Sequence, residues 1–416
     1  MFVEFKWLSN PSLQTLLCLL SEGGEEARVM GGAVRNGLMG ESINDIDIST
    51  TLMPIYVVSR LKEKGYRFLL TGITYGTVTV IINGTTYDVT TLREELGTQG
   101  RHPKVSFGRD WKKDARRRDF TMNALSVSMR GELFDPLNGH DDLEARRIRF
   151  IGNPEERILQ DPLRILRFFR FFAWYGNSFF PDPPALKACN HLKYLLNQLS
   201  AERIWTEFSK LLSAPDPGRA LFWMDQIGIL SLILPQIESG GIDTLSRLVK
   251  IQQQEKWPSD PILRLMSIIS PNEEGINALN RSLKLPKILA SRLITWARSV
   301  EPDAHMSFTE FEQFLYCGEI LGIIDRLSLA TARELSKKND QSAQIVGQQL
   351  YRLLKHGKTW KKPKFPVSGR DLLTLGYEPG SAISIVLTQM EKQWVDSGFS
   401  QKKKELLGIL SLKSTS

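Results

Sequence analysis

Apolar and polar positions follow two rhythms along this chain, and the change falls near residue 140. Before it, short apolar or β-branched runs alternate with turn residues. "ARVMGG" predicts a strand entering a turn, "AVRNGLMG" a short helix, and "NDIDIST" a second strand. "GTVTVIINGTTYDVTTL" predicts a hairpin, because Asn83 and Gly84 tolerate the positive φ angles of a type I′ turn. A mixed sheet with helices is expected there. From Asp141 onward the spacing becomes helical, as in "DPLRILRFFRFFAWYG", "AERIWTEFSKLLS" and "GRALFWMDQIGILSLILPQI". The expected fold class is therefore α+β, with the sheet first and an all-α remainder after it. Proline-containing punctuation at "SAPDPG", "KWPSDP", "SVEPDAH" and "KKPKFPVSG" marks weaker boundaries, and no repeat of fixed period is present.

Length and charge narrow the setting. A chain of 416 residues with 42% hydrophobic and 24% charged positions can form roughly two to four packed units. Its 54 Lys and Arg against 46 Asp and Glu give a net charge of +8, which favours an anionic partner, nucleic acid first. No apolar run approaches the roughly 20 residues of a membrane span. The short run "LQTLLCLL" has acidic residues close behind it and no small-residue cleavage site, so no signal peptide is expected. Cys18, Cys189 and Cys317 lie far apart without metal-ligand spacing, which suits buried thiols in a reducing compartment, and a cytoplasmic protein is expected.

Three segments carry candidate chemistry. On a strand, Asp45 and Asp47 share one face while Ile46 points to the core. Paired oxygen ligands suit Mg²⁺, which binds one or two carboxylates together with substrate phosphates and waters. Asp88, on the second hairpin strand, is a third carboxylate that a neighbouring strand can bring to the same edge, enough for two metals. An Asp-x-Asp at a strand start is also a common solvated strand end or turn cap. Gly31 and Gly32 before a helix permit close backbone approach to a phosphate, and Arg35 adds a positive fork. In "DARRRDFTMNAL", Arg118 is placed to contact a triphosphate or ribose, while Asp119 and Asn123 fix the local backbone. In "QDPLRILRFFRF", Asp161, Arg164, Arg167 and Arg170 recur every three residues and so share one side of a helix whose other face is heavily apolar. Charged groups on so buried a helix need partners. A nucleobase is one. Asp161 can accept from the exocyclic amine of cytosine or adenine while Arg164 donates to the ring nitrogen; uracil and guanine reverse that pattern and leave a buried group unpaired, at about 1 to 3 kcal/mol.

The segments "GGAVRNGLMG" with "DID", "RRDFTMNAL", "FDPLNGHDDLEARRIRFIGNPEERI" and "DPLRILRFFRF", in that order from about Arg28 to Tyr175, resemble the class II tRNA nucleotidyltransferase and poly(A) polymerase family of the polymerase β superfamily. The resemblance implies a nucleotidyltransferase catalytic head over residues 1–140, a nucleobase-selecting neck over 141–200, a helical body over 201–300 and a helical, tRNA-binding tail over 301–416. It implies CTP, ATP and the tRNA 3′ end as substrates and Mg²⁺ as the metal. By position it implies Asp45 and Asp47 as metal ligands, Asp88 as a further catalytic carboxylate, and Gly32, Arg35, Arg118, Asp161, Arg164, Arg167 and Arg170 as nucleotide-binding residues. Two positions depart from the family pattern, Asn36 where aspartate is usual and Gln160 where glutamate is usual. Addition of C, C and A to tRNA is the first expectation. Poly(A) synthesis, or addition of A or part of CCA alone, shares these head segments and stays open, as does a noncatalytic RNA-binding protein, against which the retained Asp45 and Asp47 speak. The basic runs "KHGKTWKKPKF" and "QKKKELL" are solvated faces or phosphate contacts. The one adjacent His-Asp pair, His140-Asp141, falls inside the "FDPLNGHDDL" segment, so no appended phosphohydrolase is expected, and no membrane or protein partner is implied.

Overall fold

Alternation along the strands decides which side of the sheet meets the core. In the computed structural model, which describes residues 1–99 and 102–413, β1 (Ala27–Met30), β2 (Ile46–Thr50), β3 (Arg67–Gly72), β4 (Thr77–Ile82) and β5 (Thr85–Thr91) share a sheet with two later strands. A separate hairpin, β6 (Arg93–Gln99) and β7 (His102–Phe107), intervenes before β8 (Ser126–Ser128) and β9 (Leu133–Phe134) complete the seven-stranded order β3-β4-β5-β2-β1-β8-β9. Val29, Ile48, Val78, Val80 and Val89 are buried on one face, whereas Thr77, Thr79 and Asp88 alternate to the other. Asn83 and Gly84 take φ angles of 49° and 78°, the two-residue turn expected between β4 and β5.

Two helices cover the apolar face. α1 (Pro11–Ser21) starts where the Asn10 side chain accepts from the Ser12 and Leu13 amides, and it buries Leu13, Leu16, Leu17 and Leu20 along one stripe. The apolar run near the N-terminus is thus a core helix. α2 (Gly32–Leu38) follows β1, and α3 (Pro54–Glu63) buries Val57 and Leu61. α4 (Trp111–Arg116) and α5 (Gly139–Glu144) flank the Arg117–Asn123 segment, and α6 (Pro154–Gln160) leads into α7 (Arg164–Tyr175). Phe120 joins α7 to the sheet domain by packing against Phe150, Phe168 and Phe171 at centroid distances of 5.0, 6.4 and 4.9 Å. α8 (Pro183–Leu192) and α9 (Ala201–Leu212) come next.

The chain forms two compact units, Met1–Glu207 with Arg219–Leu232, and Phe208–Gly218 with Ile233–Ser416. Among the described residues no strand is assigned after Phe134, in line with the periodicity. The second unit is helical, with one core around Phe311, Leu327, Leu350 and Leu354 and another around Leu372, Met390, Trp394 and Leu406. No helix among the described residues is long and apolar enough to cross a membrane.

Candidate active site

Strand register gathers the carboxylates. Asp47 pairs with Met30 across the antiparallel β1–β2 ladder and with Asp88 across the parallel β2–β5 ladder, and Asp88 pairs with Thr79 of β4. Registered residues face the same side of a sheet, so Asp47 and Asp88 are neighbours there. Asp45 precedes the first residue of β2 and falls on the same side by alternation. Burial, then Asp88 and Asp45, push the Asp47 carboxyl above its ordinary range, against the pull of Arg118. No described residue donates a hydrogen bond to Asp45 or Asp47. Like charges collected with the Thr79 hydroxyl on Asp88 as their one described donor fit a cation, and an all-oxygen set fits a hard one. The three side chains stay open rather than caged. Among the described residues the group with ligand atoms all within 4.8 Å of one another is His140, Asp141 and Glu144, a solvent-facing turn of α5.

The glycine turn abuts this row. Gly31 adopts φ 59°, and a Cβ there would lie 3.5 Å from the Asn123 carbonyl oxygen and 3.7 Å from Arg118 Nη1. Gly32 opens α2 at the same cleft. Arg118 is aimed by Asp114, whose Oδ2 accepts from Arg118 Nη2 at 3.0 Å, and the same nitrogen lies 3.4 Å from Ser49 Oγ, two residues beyond Asp47. Asp114 also receives Arg117 Nε at 2.7 Å. Burial works to raise the Asp114 carboxyl, but Arg118 and Arg117 hold it below the ordinary range. The following turn is fixed from within. Asp119 Oδ1 accepts from the Phe120 amide at 2.8 Å and from Asn123 Nδ2 at 2.9 Å. The "FDPLNGHDDL" segment buttresses it from outside: Thr121 Oγ1 donates to Asp142 Oδ2 at 2.7 Å, and Gly139 approaches so closely that a Cβ would lie 2.2 Å from the Thr121 carbonyl oxygen.

Arg35, expected as a positive fork toward phosphate, is held by protein partners at the cleft edge. It is 7% exposed, and its donors are directed at protein: Nη1 to Asn123 Oδ1 at 2.5 Å, Nε and Nη2 to Asn36 Oδ1 at 3.1 and 3.0 Å, and Nη2 to the Tyr175 hydroxyl at 2.8 Å. The guanidinium lies 4.2 Å over the Tyr175 ring. Burial pulls its pKa down. Arg35 therefore borders the cleft while tying α2 to the end of α7. Asn36, in turn, donates Nδ2 to the Ser42 carbonyl at 3.0 Å, a bond that aspartate lacks the hydrogen to make.

The far wall comes from α7 and its neighbours. Asp161 lies between α6 and α7, accepts the Leu163 amide at 3.1 Å, and receives Arg203 Nη2 on both oxygens at 3.0 and 2.8 Å. Arg164 Nη1 donates to Gln160 Oε1 at 2.9 Å and to the Arg157 carbonyl at 2.8 Å, so Gln160 holds this arginine through a neutral amide. Arg167 donates to Asp119 Oδ2 through Nε at 2.8 Å and Nη2 at 2.5 Å. Burial works to raise the Asp119 carboxyl, but Arg167 and the Asn123 and Phe120 bonds carry it below its ordinary value of 3.8. Arg170 departs from the expectation. It pairs with Glu207 at 2.6 Å, stacks 4.5 Å from the Phe171 ring centre and does not line the cleft, because strict spacing by three drifts around a helix of 3.6 residues per turn.

These walls enclose a cleft of roughly 440 Å³ lined by Gly32, Arg35, Asp47, Arg118, Asp161, Arg164 and Arg167 of the expected set. Asp45, Asp88 and Arg170 lie outside its lining. Two residues of "AERIWTEF" were missed by sequence reasoning, Arg203, which clamps Asp161, and Glu207, which is 5% exposed and pairs with Arg170 and Arg167. Their signal was an acid and a base four apart on one helix face, readable as a surface pair until their partners, Asp161 before α7 and Arg167 and Arg170 on it, are known.

Residues 27–149 match the family model described as the poly A polymerase head domain, and residues 178–240 that described as the probable RNA and SrmB-binding site of polymerase A. The chain is 32% identical to the mitochondrial CCA tRNA nucleotidyltransferase 1 of Mus musculus, over 98% of this chain and 91% of that protein. It is 28% identical to a CCA-adding enzyme of Levilactobacillus brevis over 98% of each. The crystal structure of the Bacillus stearothermophilus CCA-adding enzyme in complex with CTP shares the fold at a TM-score of 0.72 and 22% identity, covering 97% of this chain and 96% of that one. With a sheet that aligns carboxylates beside a glycine turn, an arginine-rich wall and full-length kinship of this kind, the chain belongs to the CCA-adding tRNA nucleotidyltransferase family and is a nucleotidyltransferase.

Proposed function

We propose that this enzyme adds C, C and A to the 3′ end of tRNA from CTP and ATP, without a nucleic-acid template. The observation that carries the reading is one cleft in which Asp47 and Arg118 stand on one side and Asp161 with Arg164 on the other, a reactive end and a base-reading end. Asp45 and Asp47, with Asp88 beside them, would hold Mg²⁺, which when bound neutralises triphosphate charge and makes the terminal hydroxyl more acidic. The 3′-oxygen forms a bond to the α-phosphorus, the bond to the bridging oxygen breaks, and pyrophosphate leaves. Arg118 and Arg167 provide positive charge for the triphosphate, while Gly32 lets it approach the backbone. Asp161 accepts the exocyclic amine and Arg164 donates to the ring nitrogen, with Arg203 and Gln160 holding these two side chains. Arg35 acts by bracing the glycine turn against Tyr175, and Arg170 by bracing Glu207.

We assign residues 1–140 to the catalytic head, 141–200 to the neck, 201–300 to the body and 301–416 to a tRNA-binding tail. We place the enzyme in the cytoplasm, in keeping with three free cysteines. Purified protein incubated with tRNA lacking CCA and each labelled nucleotide in turn is expected to incorporate C from CTP, and A once two C residues are present. Incorporation of A alone would reject the full reaction and leave the A-adding alternative.

A further inference from the structure

We propose that Thr79 is a positioning residue of the transfer reaction, fixing the Asp88 carboxylate beside Asp47. The inference rests on the reading that Asp88 serves the metal site. Thr79 lies directly across the β4–β5 ladder from Asp88, and its hydroxyl donates to Asp88 Oδ1 at 2.6 Å. Thr79, Asp88 and Asp47 thus form one row across three strands, hydroxyl, carboxylate, carboxylate. No other described residue donates to Asp88, so Thr79 fixes one oxygen and leaves Oδ2 without a protein donor. The tight Asn83-Gly84 turn sets this register, and a slip of one residue would send the Thr79 side chain to the opposite face. Being β-branched, Thr79 has few χ1 options on a strand, so its hydroxyl is held ready for Asp88.

A rival explanation is that threonine is present only as a good strand former. Valine serves that purpose equally well, matches the shape and lacks the hydroxyl, so it separates the two accounts. Two residues farther from the turn on the same face, the Thr77 and Thr90 hydroxyls lie 3.0 Å apart and bond to each other, which is the pattern a structural threonine pair gives.

The test is C addition to tRNA lacking CCA, measured over a Mg²⁺ titration for Thr79→Val, Thr79→Ser, Asp88→Asn and the Thr79→Val/Asp88→Asn double variant. Direct Mn²⁺ binding to the substrate-free enzyme, followed by electron paramagnetic resonance, is measured for the same variants; Thr79→Val is expected to weaken it and Thr79→Ser to leave it unchanged. Thr79→Val is expected to raise the half-activating Mg²⁺ concentration or lower kcat by about tenfold, the usual cost of losing a group that orients a metal-site carboxylate, with KM for CTP nearly unchanged. Thr79→Ser restores the wild-type titration. In the Asp88→Asn background the valine substitution adds little, because the hydroxyl has lost the charge it orients. Wild-type Mg²⁺ dependence and kcat in Thr79→Val, beside a crippled Asp88→Asn, would overturn the role of Thr79 alone. Full activity in Asp88→Asn would overturn the Asp88 reading and this inference with it. Should Thr79→Val fold poorly, Thr79→Ala set against Thr79→Ser still decides, because the two differ only by the hydroxyl: equal Mg²⁺ dependence and kcat in both would overturn the role of Thr79.

Discussion

Asp119 takes bonds from three directions, and its charge is matched by Arg167, so it joins the Arg117–Asn123 segment to α7. Its side chain is 8% exposed against 32% for Arg167. Removing the charge leaves Arg167 with Glu207 at 3.5 Å, which softens the loss. Asp119→Asn is therefore expected to cost about 2 kcal/mol at neutral pH, below the range for a fully buried pair. The pH dependence follows from the direction of the shift. Because the folded carboxyl sits below its ordinary 3.8, its contribution is fully present above that value and disappears as pH falls through the depressed folded pKa. Chemical denaturation of wild type and variant should show the full gap near pH 6 and a shrinking one below about pH 4. A gap that stays constant on acidification would mean that the charge on Asp119 is not what stabilises the segment.

At the level of elements, α7 has two sides with separate duties. One carries Arg164 and Arg167 to the cleft; the other buries Phe168 and Phe169 completely. Phe168 lies 5.7 Å from Phe150 and 6.4 Å from Phe120, the residue that opens the Thr121–Asn123 turn. Phe168→Ala should destabilise the first unit by about 3 to 5 kcal/mol. It should also weaken CTP binding although no cleft residue is changed, since the arginines lose the packing that aims them. Urea denaturation with equilibrium CTP binding checks both, and unaltered CTP affinity in the folded variant would separate packing from function. The same helix shows where sequence reasoning reached and where it stopped. Its apolar load was visible as periodicity, and so were the alternating strands and the Asn83-Gly84 turn, because each is encoded within a few neighbouring residues. The parallel pairing that sets Asp88 beside Asp47 depends on a crossover between distant segments, so only the possibility could be stated. The partners of Arg35, Asp161 and Arg170 likewise come from 140, 42 and 37 residues away, beyond any local pattern. That distance is why the protein partners of Arg35 were not foreseen and Arg203 went unnoticed.

Over the whole molecule the surplus of positive charge has to meet an RNA many times larger than the cleft. The net charge of +8 states the tendency, and the second unit offers a place for it. Lys355, Lys358, Lys361, Lys362 and Lys364 are all exposed. Three of them rest on aromatic rings, Lys355 4.1 Å from the Tyr351 centroid, Lys358 4.9 Å from Trp257 and Lys362 4.5 Å from Tyr316, so their stems are ordered before RNA arrives. Lys361 and Lys364 have no such partner and can be changed without disturbing the core. Phosphate contacts release counterions, so each one steepens the fall of affinity with salt by roughly 0.7 to 0.9 in a double-logarithmic plot. The Lys361→Gln/Lys364→Gln variant is expected to bind tRNA more weakly at low salt, with a slope shallower by about 1 to 2. KM for CTP should hold, because the cleft belongs to the first unit and contains neither lysine. Filter binding of tRNA over a salt series, paired with CTP kinetics at saturating tRNA, checks this. An unchanged slope would assign these lysines to solvent alone and move the search for the tRNA contact to another basic face.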